Sequence, residues 1–578
     1  MTAIAPGKKS ESAAPTYQAL GILAAATIAC LAPWLNKAFC IDDPLFLWAA
    51  AHIQSHPLDF YGFDVNWYSN VQPFYDVMKN PPLACYYLAG AARVVGWSEP
   101  ALHTAYLLPT VGAIWGTWFV ARSFCRHPVS AALLALATPA FLVSSSNVMC
   151  DTMMVCLWTW TVGLWVEGIR AGHGRSLCLA SFLIAAAALT KYFAISLIPL
   201  LAVYTVLQRR RPTWQLAWLL IPVALLAGYQ LWTSQRYGRG LLSDAASFAW
   251  GIAAVPGAGR EFAKETLSSK LLVALSFTGG SFLPVLFCTP WIWRKKRFAL
   301  AVALALATTV CARHYFPQRL LDGLHVAGPF SWSTAAQFGL FTVCGALVLW
   351  LALSDLARNQ SADAYLLTLW VLGTFSFAGI VNWTCNVRSL LPIAPAFGIL
   401  IVRQLEHKWE NSTAPSGWRW ALIPSVLVAL SVAWADDRLA NSARTAAARL
   451  AEVLKPEAGP HWFQGHWGFQ YYMQAEGGRA VDFWHPDFLA GDVMIIANNN
   501  TDIEFFPTGA VALLQELEFP ACPWLTTMQE QVGAGFYSSI WGPLPFVFAP
   551  KPAEKYGIWR WQMRFRSQPQ DFERTTDR

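Results

Sequence analysis

Apolar residues in this chain fall in long blocks, not in the alternation of a half-buried strand or the one-sided stripe of a surface helix. A membrane-crossing helix needs about 20 mostly apolar residues. By that measure about thirteen blocks qualify. They centre near 20–36, 102–121, 128–145, 149–167, 176–190, 193–208, 214–233, 271–293, 298–312, 334–354, 365–383, 389–403 and 418–435. The blocks at 298–312 and 389–403 are short, and almost no loop separates 176–190 from 193–208. Three intervening polar segments are too long for simple turns: 37–101, 234–270 and the tail from 436 onward. In the first, 44–56 and 82–95 read as helices lying along an interface. The tail has the length of one soluble domain. HWFQ (461–464), AVDFW (480–484) and DVMIIAN (492–498) read as strands and GFQYYMQA (468–475) as a helix. The expected architecture is an all-α polytopic membrane domain, residues 1–435, followed by a small extracytoplasmic α/β domain, residues 436–578.

Composition sharpens this picture. Hydrophobic residues make up 55% of the 578 and charged residues 13%, about half the ~25% of soluble domains. Aromatic residues reach 14%, as expected where rings line a membrane boundary. Twelve cysteines are scattered, many of them inside apolar blocks, with neither zinc spacing nor a paired framework. The net charge of +7 comes from basic residues in short loops, which argues for topology and against nucleic acid. With a cytoplasmic N-terminus, the inside loops carry Arg122/Arg126, Arg170/Arg175, Arg209–Arg211, Arg294–Arg297, Arg358 and Arg403/Lys408/Arg419, the positive-inside pattern. Lys8 and Lys9 precede an uncleaved first span. The tail then lies on the outer face, of a cell inner or plasma membrane.

Candidate chemistry gathers on that outer face. Asp42 and Asp43 follow the first span directly. An acidic pair at a membrane surface is costly to desolvate unless it binds a cation or takes a proton; a solvated acidic turn is the plain alternative. Lys79 precedes Pro81-Pro82, where a helix begins and an anionic headgroup meets the helix dipole. Asp151, Lys191 and Arg388 sit at or near the ends of apolar blocks, where ionisable groups mark function or snorkel to the interface. One constellation of two cations and two or three carboxylates is the set that a lipid phosphate requires. His52, His56, His461 and His466 form no metal pattern, and GAGREF at 257–262 lacks the context of a phosphate loop.

Together these motifs resemble the GT-C superfamily of integral-membrane glycosyltransferases. Within it they are most similar to glycosyltransferase family 39, the dolichyl-phosphate-mannose protein mannosyltransferase-like group, with the lipid A aminoarabinose transferases as relatives. The matching elements are the acidic pair in IDDPLFLWAAAHI (with Asp43 where the families usually have Glu), the Pro-Pro-Leu of KNPPLACYYLAG, Asp151 opening the fourth span, Leu-Thr-Lys ending at Lys191, and RSLLPIAPAFGIL. The resemblance spans about residues 20–435. It implies transfer of a sugar from a polyprenyl-phosphate-linked donor to an acceptor hydroxyl on the outer face, with protein, lipid and glycan acceptors all open. By the same resemblance Asp42 is the general base, and Asp43 and Asp151 orient the acceptor or bind a divalent cation. Lys79, Lys191 and Arg388 hold the carrier phosphate. The competing reading is a polytopic lipid or sugar transporter. It is disfavoured because the charges collect on one face and no paired broken helices are evident.

Overall fold

The computed structural model describes residues 16–250, 266–293, 295–315, 331–409, 416–457, 459–504, 506 and 509–562. Lys8, Lys9, Arg294 and the 257–262 stretch lie outside the described residues. The chain is mostly helical. Among the described residues, seven helices are long and apolar enough to cross a membrane: Thr16–Trp34, Cys150–Ala171, Tyr192–Arg209, Trp214–Tyr237, Trp332–Asn359, Ala362–Val381 and Gly417–Leu454. The count rises to nine if each of two bent pairs is one span, and the chain is a multi-pass membrane protein.

The bent pairs correct one reading of the sequence, which saw no broken helices. Pro128–Leu136 and Pro139–Ser145 meet at 66°, and Leu267–Ser281 and Pro284–Ile292 at 80°. Proline at the start of each second half removes a ladder N–H, and Pro139 also keeps the preceding Thr138 out of helical geometry, whereas Leu283 before Pro284 stays helical. At Thr138 the backbone is extended, and its hydroxyl accepts from the Phe141 N–H at 3.2 Å to cap the new helix. Neither break borders the large cavity described below, so the transporter reading gains nothing from them.

In the first long connection, helices Asp43–Ser55 and Leu83–Val95 form as expected, with a short hairpin (Asp64–Asn66 with Val71–Pro73) between them. The helix of the last apolar block continues unbroken from Leu422 to Leu454, past the boundary near 435. Its Asp436-Asp437-Arg438 run marks no end, because Ala440, Ala446, Ala447 and Leu450 keep an apolar face packed.

Beyond that helix the chain builds a mixed sheet from strands β1 (His461–Gln464), β2 (Arg479–Ala480), β3 (Val493–Ala497), β4 (Val511–Phe519) and β5 (Glu554–Trp561), in the order β2-β1-β3-β5-β4. Strand β1 runs parallel to β2 and β3, and β5 is antiparallel to β3 and β4. The expected strand at 480–484 is reduced to the residues of β2. Alternation divides the sheet's two faces. Val493, Ile495 and Ala497 pack with Leu450, Leu454 and helix residue Phe469, whereas Met494 and Ile496 pack with Trp462, Phe488 and Trp561. Helix Leu422–Leu454 thus carries the sheet and fixes it against the membrane helices.

Candidate functional site

A cavity of about 1600 Å³ lies where the membrane helices, the first long connection, residues 242–250 and the tail meet. Asp42, Lys79, Asp151, Lys191 and Arg388 all border it. Five residues spread over almost 350 positions of sequence therefore share one chamber.

Their immediate geometry is set by local structure. Asp42 stands at the N-terminal cap of helix Asp43–Ser55 yet makes no capping hydrogen bond, so its carboxylate is free for other partners. Its Oδ2 accepts from Arg388 Nη2 at 2.8 Å, and its side chain keeps 28% of its surface exposed. The preceding Ile41 has φ +51°, a left-handed conformation that costs a β-branched residue energy and is held only where its surroundings over-determine it. The strain turns the chain so that neighbouring acids part company.

Asp43 points away from the cavity and does not border it. It is 0% exposed, and its two oxygens accept from the backbone N–H of Cys40 (2.9 Å) and Val148 (3.0 Å). Burial pushes its carboxyl up to about 7. Its place in the acidic pair is thus corrected: Asp43 ties the Asp42 loop to the start of helix Cys150–Ala171 and touches no cavity. Asp151, in the first turn of that helix, is 2% exposed in its side chain and is ion-paired with Lys191. Lys79 pairs with Asp244 Oδ2 at 2.5 Å, from the segment after the Trp214–Tyr237 span. Three cations thus stand around the chamber, each held by one carboxylate.

The two acids that the sequence offered to a divalent cation, Asp43 and Asp151, both have partners within the protein. Both Asp43 oxygens are taken by N–H donors, Asp151 is spent on Lys191, and no group of three His, Cys, Asp or Glu capable of holding a metal occurs among the described residues.

Two features escaped the sequence. Lys37, 1% exposed, donates to Asp436 Oδ2 (2.6 Å), Asn147 Oδ1 (2.6 Å) and Ser146 Oγ (3.2 Å). Burial works against its charge, but the Asp436 carboxylate outweighs it and holds the ammonium above the usual lysine range. Asp436 also accepts from Tyr537 Oη (2.8 Å) and Thr527 Oγ1 (2.7 Å). The Tyr537 ring in turn carries the Arg388 guanidinium 5.5 Å from its centroid. The tail therefore reaches the cavity's cations through one buried chain of contacts. No spacing in the sequence joins Lys37 to a partner 399 residues away.

The second is the other end of the chamber. It is apolar, with Trp158 stacked at 5° on Phe193 (5.5 Å) and tilted against Trp370 (5.7 Å); Leu200, Val203 and Leu369 continue the lining. Such a wall suits hydrocarbon chains.

None of the curated proteins matches this chain in sequence. Among solved structures, the chain is similar to the Archaeoglobus fulgidus oligosaccharyltransferase in its apo form. The two share 14% identity at a TM-score of 0.48, over 80% of this chain and 64% of that one. The chain thus spans less than two thirds of the oligosaccharyltransferase. It is also similar to ArnT from Cupriavidus metallidurans, bound to undecaprenyl phosphate (14% identity, TM-score 0.39, 83% of this chain and 93% of that one). The apo ArnT structure gives a TM-score of 0.40 at the same identity and coverage. Residues 79–232 match the family model described as dolichyl-phosphate-mannose-protein mannosyltransferase. That stretch, about a quarter of the chain, contains Lys79, Asp151 and Lys191.

Proposed function

We propose that this protein is a glycosyltransferase that moves a sugar from a polyprenyl-phosphate-linked donor to an acceptor hydroxyl at the outer membrane face, with the N-terminus cytoplasmic and the tail outside. The observation that carries the reading is the single cavity in which Asp42 stands beside Lys79, Lys191 and Arg388, with an apolar wall leading off. The apolar wall would take the polyprenyl chain and the cations its phosphate. A phosphate oxygen can draw Arg388 and Lys191 into charge-assisted hydrogen bonds as the sugar–phosphate bond breaks and negative charge builds on the leaving group.

Of the two acids in the acidic pair, Asp42 alone borders the cavity, and its Oδ1 is left free by Arg388. Asp42 is therefore assigned as the base that removes the acceptor hydroxyl's proton while the oxygen attacks the anomeric carbon. Asp151 acts by holding Lys191 toward the phosphate. Asp43 holds the Asp42 loop in place. The test is sugar transfer by the purified protein in nanodiscs, from polyprenyl-phosphate sugars to acceptors scanned by mass spectrometry. Transfer that requires the lipid phosphate supports the assignment. Lipid translocation without transfer overturns it in favour of a transporter.

A further inference from the structure

The wall of the cavity contributed by the tail differs in chemistry from the membrane wall. Its lining residues, 467 and 496–559, include no lysine, arginine or histidine. Asp502, Glu504 and Glu530 border the cavity there with no cationic partner among the described residues. Every cation bordering the cavity comes from outside the tail and already holds a carboxylate, and Arg388 alone reaches the tail side, over the Tyr537 ring. An anionic ligand would be repelled on the tail side, and poor screening in a partly dry chamber makes that repulsion strong.

Two further features describe what this wall would welcome. Trp467 and Trp541 lie 5.1 Å apart at 49° and both border the cavity, a broad apolar surface with indole N–H groups at its edge. Beside them is Gln529, only 6% exposed and bordering the cavity. Its side-chain amide hydrogen-bonds to nothing among the described residues. That amide is left to pair with something entering the cavity.

The loop that carries Asp502 and Glu504 is fixed in advance. Asn500 Oδ1 accepts from the N–H groups of His466 (2.8 Å) and Thr501 (2.8 Å), and Gln464 Oε1 accepts from the Glu504 N–H (2.7 Å). Little ordering cost is left for a ligand to meet. The loop also shares its cavity with the assigned base. Asp42, Tyr68 and Asp502 all border the same cavity.

We propose that the tail wall is the acceptor subsite and that it takes a neutral or amino-bearing oligosaccharide. A pyranose offers C–H faces to the tryptophan pair and hydroxyls to Gln529, Asp502 and Glu504, and an amino group would meet the unpaired acids. The acceptor role rests on the transferase reading; the carbohydrate binding itself does not.

The experiment measures binding to the full chain in nanodiscs by calorimetry and saturation-transfer NMR. The probes are chitotriose, the glucosamine trimer, chitotriose carrying a 6-phosphate, and a Ser/Thr hexapeptide. The two unphosphorylated trimers are expected to bind, with saturation transferred to their ring C–H groups, and the phosphorylated trimer to bind at least tenfold more weakly. Trp541→Ala and Gln529→Ala should each weaken trimer binding at least fivefold, with Trp541→Phe close to wild type. Undecaprenyl phosphate binding should be unchanged in all three, which also shows that they fold. Absence of trimer binding, preference for the peptide or the phosphorylated trimer, or unchanged binding in both alanine variants would overturn the subsite. Trimer binding without sugar transfer from any lipid-linked donor would instead overturn the transferase reading and leave the carbohydrate site standing.

Discussion

Replacing Asp436 with alanine leaves the Lys37 ammonium without its counter-charge at a position 1% exposed. Asn147 and Ser146 remain as neutral acceptors, but removing one partner of a buried pair typically costs about 3–5 kcal/mol. Lys37→Met should cost a similar amount, because Asp436 then keeps only the hydroxyls of Tyr537 and Thr527. The double variant Lys37→Met/Asp436→Leu buries no charge. It should lose less than the sum of the two single changes, its remaining cost coming from the polar neighbours of the pair. The double-mutant cycle should therefore show a coupling of at least about 2 kcal/mol, because residues in contact are far from additive. SDS-titration unfolding in mixed micelles, followed by tryptophan emission, reads these differences. An Asp436→Ala variant within about 0.5 kcal/mol of wild type, or additive single changes, would refute the view that this pair clamps the tail to the membrane helices.

Asp43 gives a pH signature. Burial raises its carboxyl from 3.8 to about 7, so between those values the folded state holds a proton that the unfolded state has released. Its contribution is then fully present below about 3.8, falls as pH rises through that window, and is flat above 7. Wild type should thus lose stability relative to Asp43→Asn between pH 5 and 7, in thermal inactivation across pH 5–8; a pH-independent difference would count against it. Arg388→Ala and Lys191→Ala should each raise the donor KM about tenfold or more, since each removes a charge-assisted bond to phosphate; unchanged donor dependence would remove them from the phosphate site. Tyr537→Phe keeps the ring over Arg388 and should leave the donor KM within about twofold, whereas Tyr537→Ala should raise it severalfold if the cation–π contact is worth about 0.5–2 kcal/mol.

Much of the membrane domain was legible in the sequence because its signal is local: an apolar block reports a buried helix wherever it falls. The helices at 43–55 and 83–95 were readable for the same reason, from periodicity and the prolines before them. Asp42, Lys79, Asp151, Lys191 and Arg388 could be grouped because each lies at an end of an apolar block on one face. What could not be read depends on which way a side chain turns or on contacts far apart in sequence. Asp42 and Asp43 look equivalent in the chain, yet a left-handed Ile41 and two backbone N–H groups send one to the cavity and the other into the core. Lys37 resembles any basic residue after a span until Asp436 arrives from the far end of the bundle. The tail's wall of the cavity comes from irregular loops at 498–504 and 529–541, which carry no period to read.

Sugar transfer by Asp42→Asn, measured beside donor binding, tests the central claim most directly. Asparagine keeps the size of the side chain and its position beside Arg388 but cannot accept the acceptor's proton. The account predicts that transfer from a polyprenyl-phosphate sugar falls by about 10²-fold or more while donor-lipid binding stays within about threefold of wild type, the phosphate being held by Lys79, Lys191 and Arg388. Transfer by Asp42→Asn at the wild-type rate would contradict it.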